Sequence, residues 1–336
     1  MKGFFRIFQP IYSKILWLLP QSLTDVLFYT SQKPFLHAAS KAGVPCPAAP
    51  KDPFFSFVVL QYNHPELTRR CIQSINKLPI PGGKSIVIVD NGSTDGAGDI
   101  IEKEFEGSAG IQILRIEKNL GFARGNNEGY KLARRIREPD FLCLVNSDIV
   151  FPSPDFAVAV AKEYSKSRFS VLGPDLQPPG RLKLHQNPMR LRFRTIQEAG
   201  LILRRLEEEL ALLKSGCFVP PPPRRPAPGR PVNSIRRQGA IVLHGAAYIL
   251  SRAFLDDVSV PFDDRTFMYG EEEIFCLRSY LRGHRLVYTP RIRLLHDGEG
   301  SSADIDPVPR RIFRNEQSVQ SIKIFIDIVS TDEKLC

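Results

Sequence analysis

Phe55-Ser56-Phe57-Val58-Val59-Leu60-Gln61-Tyr62-Asn63-His64-Pro65 sets the reading of the chain around it. Phe55 to Leu60 is a run of apolar residues with only Ser56 breaking it, the pattern of a strand buried on both faces, as in the middle of a parallel sheet. Gln61-Tyr62-Asn63 ends the run in polar groups. Pro65 then opens a helix on which Leu67, Cys71, Ile75 and Leu78 share one face.

The same alternation continues downstream. Ser85 to Val89 and Ile111 to Ile116 read as strands, with a short helix at Asp99 to Phe105 between them, and the helix Phe122 to Arg137 leads to a strand at Phe141 to Val145. Strand centres recur roughly every 30 residues, the size of a βαβ unit, so a Rossmann-like, mainly parallel α/β sheet flanked by helices is expected. The second half is less regular: strands at Phe169 to Gly173, Ile241 to Leu250 and Arg285 to Leu295, and an amphipathic helix from Glu271 to Arg282. Between them, residues 181–238 carry a helical stretch near Glu198 to Lys214 and the tract Val219-Pro220-Pro221-Pro222-Pro223-Arg224-Arg225-Pro226, which cannot pack a core. The segment reads as a mobile insertion over the site. Pro, Ala and Gly in residues 41–53 mark a linker, which divides the chain into 1–51, a main domain at 52–302 and a C-terminal extension at 303–336.

Upstream of the linker, Phe4, Phe5, Ile7, Phe8, Trp17 and Leu18 alternate with Lys2, Arg6 and Lys14, while Pro10 and Pro20 interrupt the run. No stretch reaches the ~20 apolar residues of a spanning helix, and no small-residue cleavage site follows. This amphipathic segment suits a membrane surface or the side of the domain equally. The chain is 43% hydrophobic, enough for a large core, and carries a formal net charge of +10. Its basic residues gather at Arg181–Arg194, Arg224–Arg237 and Arg310–Arg314, with few aromatic residues between them, so no nucleic-acid partner is expected. A solvated face and contact with an anionic membrane or lipid-linked diphosphate remain. Six cysteines, widely spread and without C-x-x-C spacing, fit reduced thiols and a cytoplasmic location.

In a parallel sheet ligands bind beyond the carboxyl ends of the strands. Those positions are polar throughout: Gln61-Tyr62-Asn63, Asp90-Asn91-Gly92-Ser93-Thr94-Asp95-Gly96, Asn119-Leu120-Gly121 and Asn146-Ser147-Asp148. Neither G-x-G-x-x-G after the first strand nor G-x-x-x-x-G-K-[ST] occurs, which argues against a dinucleotide enzyme and a P-loop NTPase. Asp148 at a strand end can offer an oxygen to a divalent ion, although Asn, Ser and Asp are also ordinary turn residues.

These blocks occur in order with Asn119-Leu120-Gly121-Phe122-Ala123-Arg124-Gly125-Asn126-Asn127, Gly270-Glu271-Glu272 through Arg278, and His296. Together they resemble the family 2 glycosyltransferases, in particular the rhamnosyltransferase-like branch. The resemblance implies a GT-A fold and an inverting, hexosyltransferase-type enzyme that uses a nucleoside-diphosphate sugar and Mg²⁺ or Mn²⁺ to glycosylate a saccharide or lipid-linked acceptor in surface polysaccharide synthesis. By it, Asp90 receives the nucleotide base, and Tyr62, Asn63, Asn91, Asn119, Gly121, Asn126 and Asn146 line the nucleotide and sugar. Asp148 matches the last acid of the D-x-D metal motif, whose first acid is Asn146 here, and His296 completes the metal shell or meets the diphosphate. Glu272 takes the place of the catalytic base, with Glu271 on the acceptor side. The next acid of the family's pattern is Ile274 here. Three glutamates at a helix N-terminus are also favoured by the helix dipole alone. A nucleotidyltransferase and a non-catalytic sugar-binding assembly subunit on the same sheet are the competing classes.

Overall fold

The structure, a computed structural model, describes residues 43–48, 50–180, 184–216, 235–298 and 307–331. The aromatic N-terminal segment and the proline tract lie outside the described residues. A nine-stranded sheet runs in the order β3-β2-β1-β4-β8-β6-β9-β5, with β7 on β9. Its strands are β1 (Phe55–Gln61), β2 (Lys84–Asn91), β3 (Ile111–Ile116), β4 (Phe141–Asn146), β5 (Ile149–Val150), β6 (Val171–Gln177), β7 (Arg237–Gln238), β8 (Ala247–Ser251) and β9 (Leu286–His296). The helices are α1 (Pro65–Asn76), α2 (Ala97–Phe105), α3 (Gly121–Ile136), α4 (Phe156–Ser167), α5 (Ile196–Lys214), α6 (Arg252–Asp257), α7 (Glu271–Leu281) and α8 (Pro307–Thr331).

β1 is buried on both faces, as its composition requires. Phe55, Phe57 and Val59 enter one apolar cluster with Ile72 and Ile75 of α1. Val58 enters the opposite cluster with Tyr130 and Ala133 of α3. The four early strands are all parallel, with Leu60 opposite Asn146 and Gln61 opposite Asp90. Their polar exits therefore lie side by side.

The sheet is mainly parallel, as expected, with antiparallel pairings confined to the part beyond β4: β8 is antiparallel to β4 and β6, and β9 is parallel to β6 but antiparallel to β5 and β7. The strand expected over Ile241 to Leu250 begins only at Ala247. Ile241, Val242 and Leu243 are apolar because they are buried, not because they extend: Val242 bonds Arg190, and a turn at Gly245 and Ala246 precedes β8. The insertion is not loose where it is described. Phe193 and Ala199 join the core, Asn187 is fully buried, and Thr195 and Glu198 form a capping box at the start of α5. The expected basic faces are partly spent on ion pairs: Arg192–Glu198, Arg194–Glu273, Arg236–Glu163 and Arg311–Glu209. No described helix is long and apolar enough to cross a membrane. The C-terminal helix α8 lies along α5 through Lys214–Glu316 and Lys323–Glu207, and puts Ile322, Phe325 and Val329 into the core.

α3 sits close on the sheet because Gly125 and Gly129 face it. A Cβ at Gly129 would lie 2.4 Å from Val58 Cγ1 and 2.6 Å from Val89 Cγ2, methyl groups of two fully buried strand residues. Gly129→Ala gains ~1 kcal/mol in helix propensity, but overpacking a full core costs about 1–3 kcal/mol. Because the methyls cannot swing away, the clash is expected to win. Urea unfolding of this variant should show a net loss of stability rather than a gain.

Candidate active site

A cleft of about 210 Å³ opens at the carboxyl ends of β1, β2 and β4. One wall carries Tyr62, Asn91, Asn119, Asn146 and Asp148; the other carries Met268, Tyr269, Glu271 and Glu272, with His244-Gly245-Ala246 between. Asn91 and Asn119 brace each other: Asn91 Nδ2 donates to Asn119 Oδ1 at 3.1 Å, and Asn91 Oδ1 accepts the Leu120 N–H.

Other residues named from the sequence turn away from this cleft. Asp90 is 1% exposed, and both its oxygens are engaged, one by Ser93 and Gln61 and the other by Arg115 Nε at 3.0 Å. Asn63 has φ 59° and receives the Thr94 N–H on Oδ1, which ties the exits of β1 and β2 together. Asn126 donates to Phe122 O within α3 and is buried. At Gly121, φ is 80° and a Cβ would meet Phe267 O at 2.4 Å, so glycine there lets the loop before α7 lie on the start of α3. These four are held as parts of the fold rather than as lining of the cleft.

Asp148 and His296 are far apart in sequence, yet the two-residue strand β5 pairs Ile149 with His296 and brings them together. Asp148 is 5% exposed; its Oδ2 accepts the Gly298 N–H and lies 3.4 Å from His296 Nε2. Its Oδ1 is buried with no hydrogen-bond partner. His296 Nδ1 meets Gln186 Oε1 at 2.5 Å. His244, which the sequence reading left without a role, lines the cleft with its ring against that of His296. Burial, then the neighbouring His296, pushes its pKa down to about 3, so it is neutral.

The glutamates at the start of α7 separate by environment. Glu273 is buried and held by the Arg194 backbone N–H and guanidinium. Glu272 is half-buried at the cleft; its Oε2 accepts the Gly270 N–H, and its side chain lies on Gly245, where a Cβ would be 2.9 Å from Cγ. Glu271 is 5% exposed with Oε2 unpartnered. Burial raises both carboxyls above the usual glutamate range, and the charge of Glu272 raises Glu271 further. The loop that delivers them is strained, with φ 66° at Tyr269 and 98° at Gly270. Phe313 of α8 packs edge-on against Phe267 and Tyr269 and supports it.

Asp148, backed by His296, lines this sheet-end site together with the acids Glu271 and Glu272, and the sequence of residues 56–198 matches the glycosyl transferase family 2 model. The match covers the part of the chain that carries β1 to β4 and the start of α5. Among solved structures the chain is similar to GalNAc-T7 with UDP, GalNAc and Mn²⁺, at 13% identity over 73% of this chain and 44% of that one, TM-score 0.50. It is also similar to residues 1–349 of S. aureus TarS, at 17% identity over 73% and 60%, TM-score 0.47. The mannosyltransferase PcManGT from Pyrobaculum calidifontis, in complex with GDP-Man and Mn²⁺, matches at 15% identity over 93% and 86%, TM-score 0.47. The chain thus spans less than two thirds of the TarS and GalNAc-T7 chains. At such identities the likeness is one of fold, the GT-A arrangement of a mixed α/β sheet flanked by helices. No curated protein matches the sequence.

A divalent ion is compatible with the residues at the end of β4 and the end of β9. The orphaned Asp148 Oδ1 and the nearby imidazole of His296 form a carboxylate–nitrogen donor set that suits Mn²⁺ and, less closely, Mg²⁺. No group of three or more His, Cys, Asp or Glu forms a cage among the described residues. Oxygens of a bound ligand would have to complete the shell.

The state of Glu271 has a consequence for stability. Its folded pKa lies above the ordinary value of 4.5, so above that pH the native state holds a proton that the unfolded chain has lost, and stability falls as pH rises. Glu271→Gln removes this penalty. Thermal unfolding should give the variant little advantage near pH 4 and a clearly higher midpoint than the parent near pH 8.

Proposed function

We propose that the chain is an inverting glycosyltransferase that moves a hexose from a nucleoside-diphosphate sugar to a hydroxyl of a saccharide or lipid-linked acceptor, in surface polysaccharide synthesis. The observation that carries this reading is that one cleft is lined both by Asp148, whose Oδ1 is unpartnered and whose Oδ2 lies beside His296, and by Glu272. The rhamnosyltransferase-like resemblance makes a deoxyhexose the first donor to test.

In this reading Tyr62, Asn91, Asn119 and Asn146 hold the nucleotide and sugar along the strand exits, while Asp90, Asn63 and Gly121 keep those exits in shape. Asp148 and His296 would hold a divalent ion, which when bound offsets the negative charge gathering on the leaving diphosphate. Glu272 accepts the proton of the acceptor hydroxyl as its oxygen bonds to the anomeric carbon. The bond from that carbon to the diphosphate oxygen breaks on the opposite face, and its electron pair leaves with the diphosphate. Glu271, kept protonated by burial and by its neighbour, is fit to donate a hydrogen bond on the acceptor side and leaves Glu272 as the one ionised carboxylate of the pair.

Two measurements test the proposal. Calorimetric titration with UDP, dTDP and GDP should reveal one diphosphate whose binding is strengthened by Mn²⁺, and Asp148→Ala should abolish the strengthening. If no diphosphate binds, the donor site is wrong. Glu272→Gln should lower kcat by about 10²–10⁴, the range for removing a general base, with diphosphate affinity unchanged. The rising limb of the wild-type kcat/KM profile should lie above the usual glutamate range, because the base works only once deprotonated and burial has raised its pKa. A variant that keeps full turnover removes Glu272 from the chemistry.

A further inference from the structure

His244 and His296 stand with ring centroids 5.3 Å apart and planes at 70°. Their surroundings treat the two Nδ1 atoms oppositely. The Ala246 backbone N–H donates to His244 Nδ1 at 3.1 Å. An N–H needs a lone pair, so Nδ1 is bare and the proton of the neutral ring sits on Nε2. At His296 the neighbour of Nδ1 is an amide oxygen, Gln186 Oε1, which can only accept. There Nδ1 carries a proton, and Nε2 is the nitrogen that faces Asp148 Oδ2.

We infer that His244 is a donor-site residue that gives a hydrogen bond from Nε2–H to an oxygen of the bound diphosphate, and that it is not a cation ligand. This rests on the function proposed above. A cation ligand needs the lone pair that the Ala246 bond places on the other nitrogen. The ring's position is built rather than incidental: the His244 N–H donates to Oδ1 of the fully buried Asn187, whose Nδ2 in turn donates to Pro174 O. The next residue, Gly245, lies against Glu272. His244 thus stands between the proton acceptor and the Asp148–His296 pair, where the leaving diphosphate gathers charge. A neutral N–H strengthens its hold as that charge grows, without adding a positive charge that would compete with the ion.

Three readouts on the full chain test the inference. Long-range ¹⁵N–¹H NMR of the ligand-free wild type should show His244 protonated on Nε2 and His296 on Nδ1; the reverse at His244 overturns it. In calorimetry with Mn²⁺ present, His244→Ala should weaken the nucleoside diphosphate roughly tenfold and the matching monophosphate little, as expected for one charge-assisted hydrogen bond. His244→Gln, which keeps an N–H at similar reach, should recover most of the loss and serves if the alanine variant folds poorly. Mn²⁺ affinity followed by EPR should fall in His296→Ala and not in His244→Ala; equal falls would make His244 a ligand and overturn the inference. Diphosphate binding left unchanged by His244→Ala overturns this inference alone. No diphosphate binding to the wild type overturns the functional reading and this assignment together.

Discussion

The site depends on the register of the parallel strands. With Leu60 opposite Asn146, Gln61 opposite Asp90 and Asn91 opposite Ile116, the chain leaves the sheet at one level on adjacent strands. Short turns of Asn, Asp, Ser and Gly are then forced into contact at that level. Because β1 is apolar on both faces, a slip of one residue would exchange the two cores, so burial fixes the register. Pairing of polar side chains at the rim follows from it. Asn91 reaches Asn119, and Asn63 reaches Thr94, only because their strands end together.

The opposite wall is positioned by a different constraint. The loop before α7 has two consecutive residues at positive φ, a conformation that a non-glycine residue such as Tyr269 adopts at a cost of order 1–3 kcal/mol. Packing offsets that cost: Phe313 of α8 meets Phe267 and Tyr269, and Ser321 comes so close to Gly270 that a Cβ there would lie 3.0 Å from its own. α8 in turn is tied to α5 by ion pairs and shared core. A helix at the end of the described chain therefore helps hold the glutamates in place. The residues set apart in sequence as an insertion and an extension are the second layer of the site.

How far sequence alone reached depended on whether a residue's environment is local. β1 to β4 and α1 to α3 were legible almost to their ends, since strands buried on both faces and helices with one apolar face declare themselves in composition. β5 was invisible, because two residues become a strand only when β9 arrives beside them. The run from Ile241 to Leu243 was misread because burial without extension looks the same as a buried strand. At the rim, sequence found polar residues but not their direction. Asp90, Asn63 and Asn126 were as plausible as Asn91 and Asn146, and only their placement relative to the cleft, which the last two line, separates them. His244 was given no role, because its surroundings depend on a turn at Gly245 that nothing in the pattern around it announces.

The glutamate triplet shows why that direction matters for chemistry. Like charges in adjacent positions at a partly buried helix start cannot all ionise without support. Glu273 has it from Arg194, so its charge is satisfied where it stands. Glu271 has burial and no partner for Oε2, and both favour its protonated form. Glu272 lies between these extremes, steadied by one backbone N–H and open to the cleft. The neighbours on each side therefore leave it as the carboxylate most able to accept a proton from a molecule in the cleft. A helix dipole would favour all three alike, so the dipole explains why acids are tolerated there. The environments of the side chains explain why only one of them is suited to act as a base.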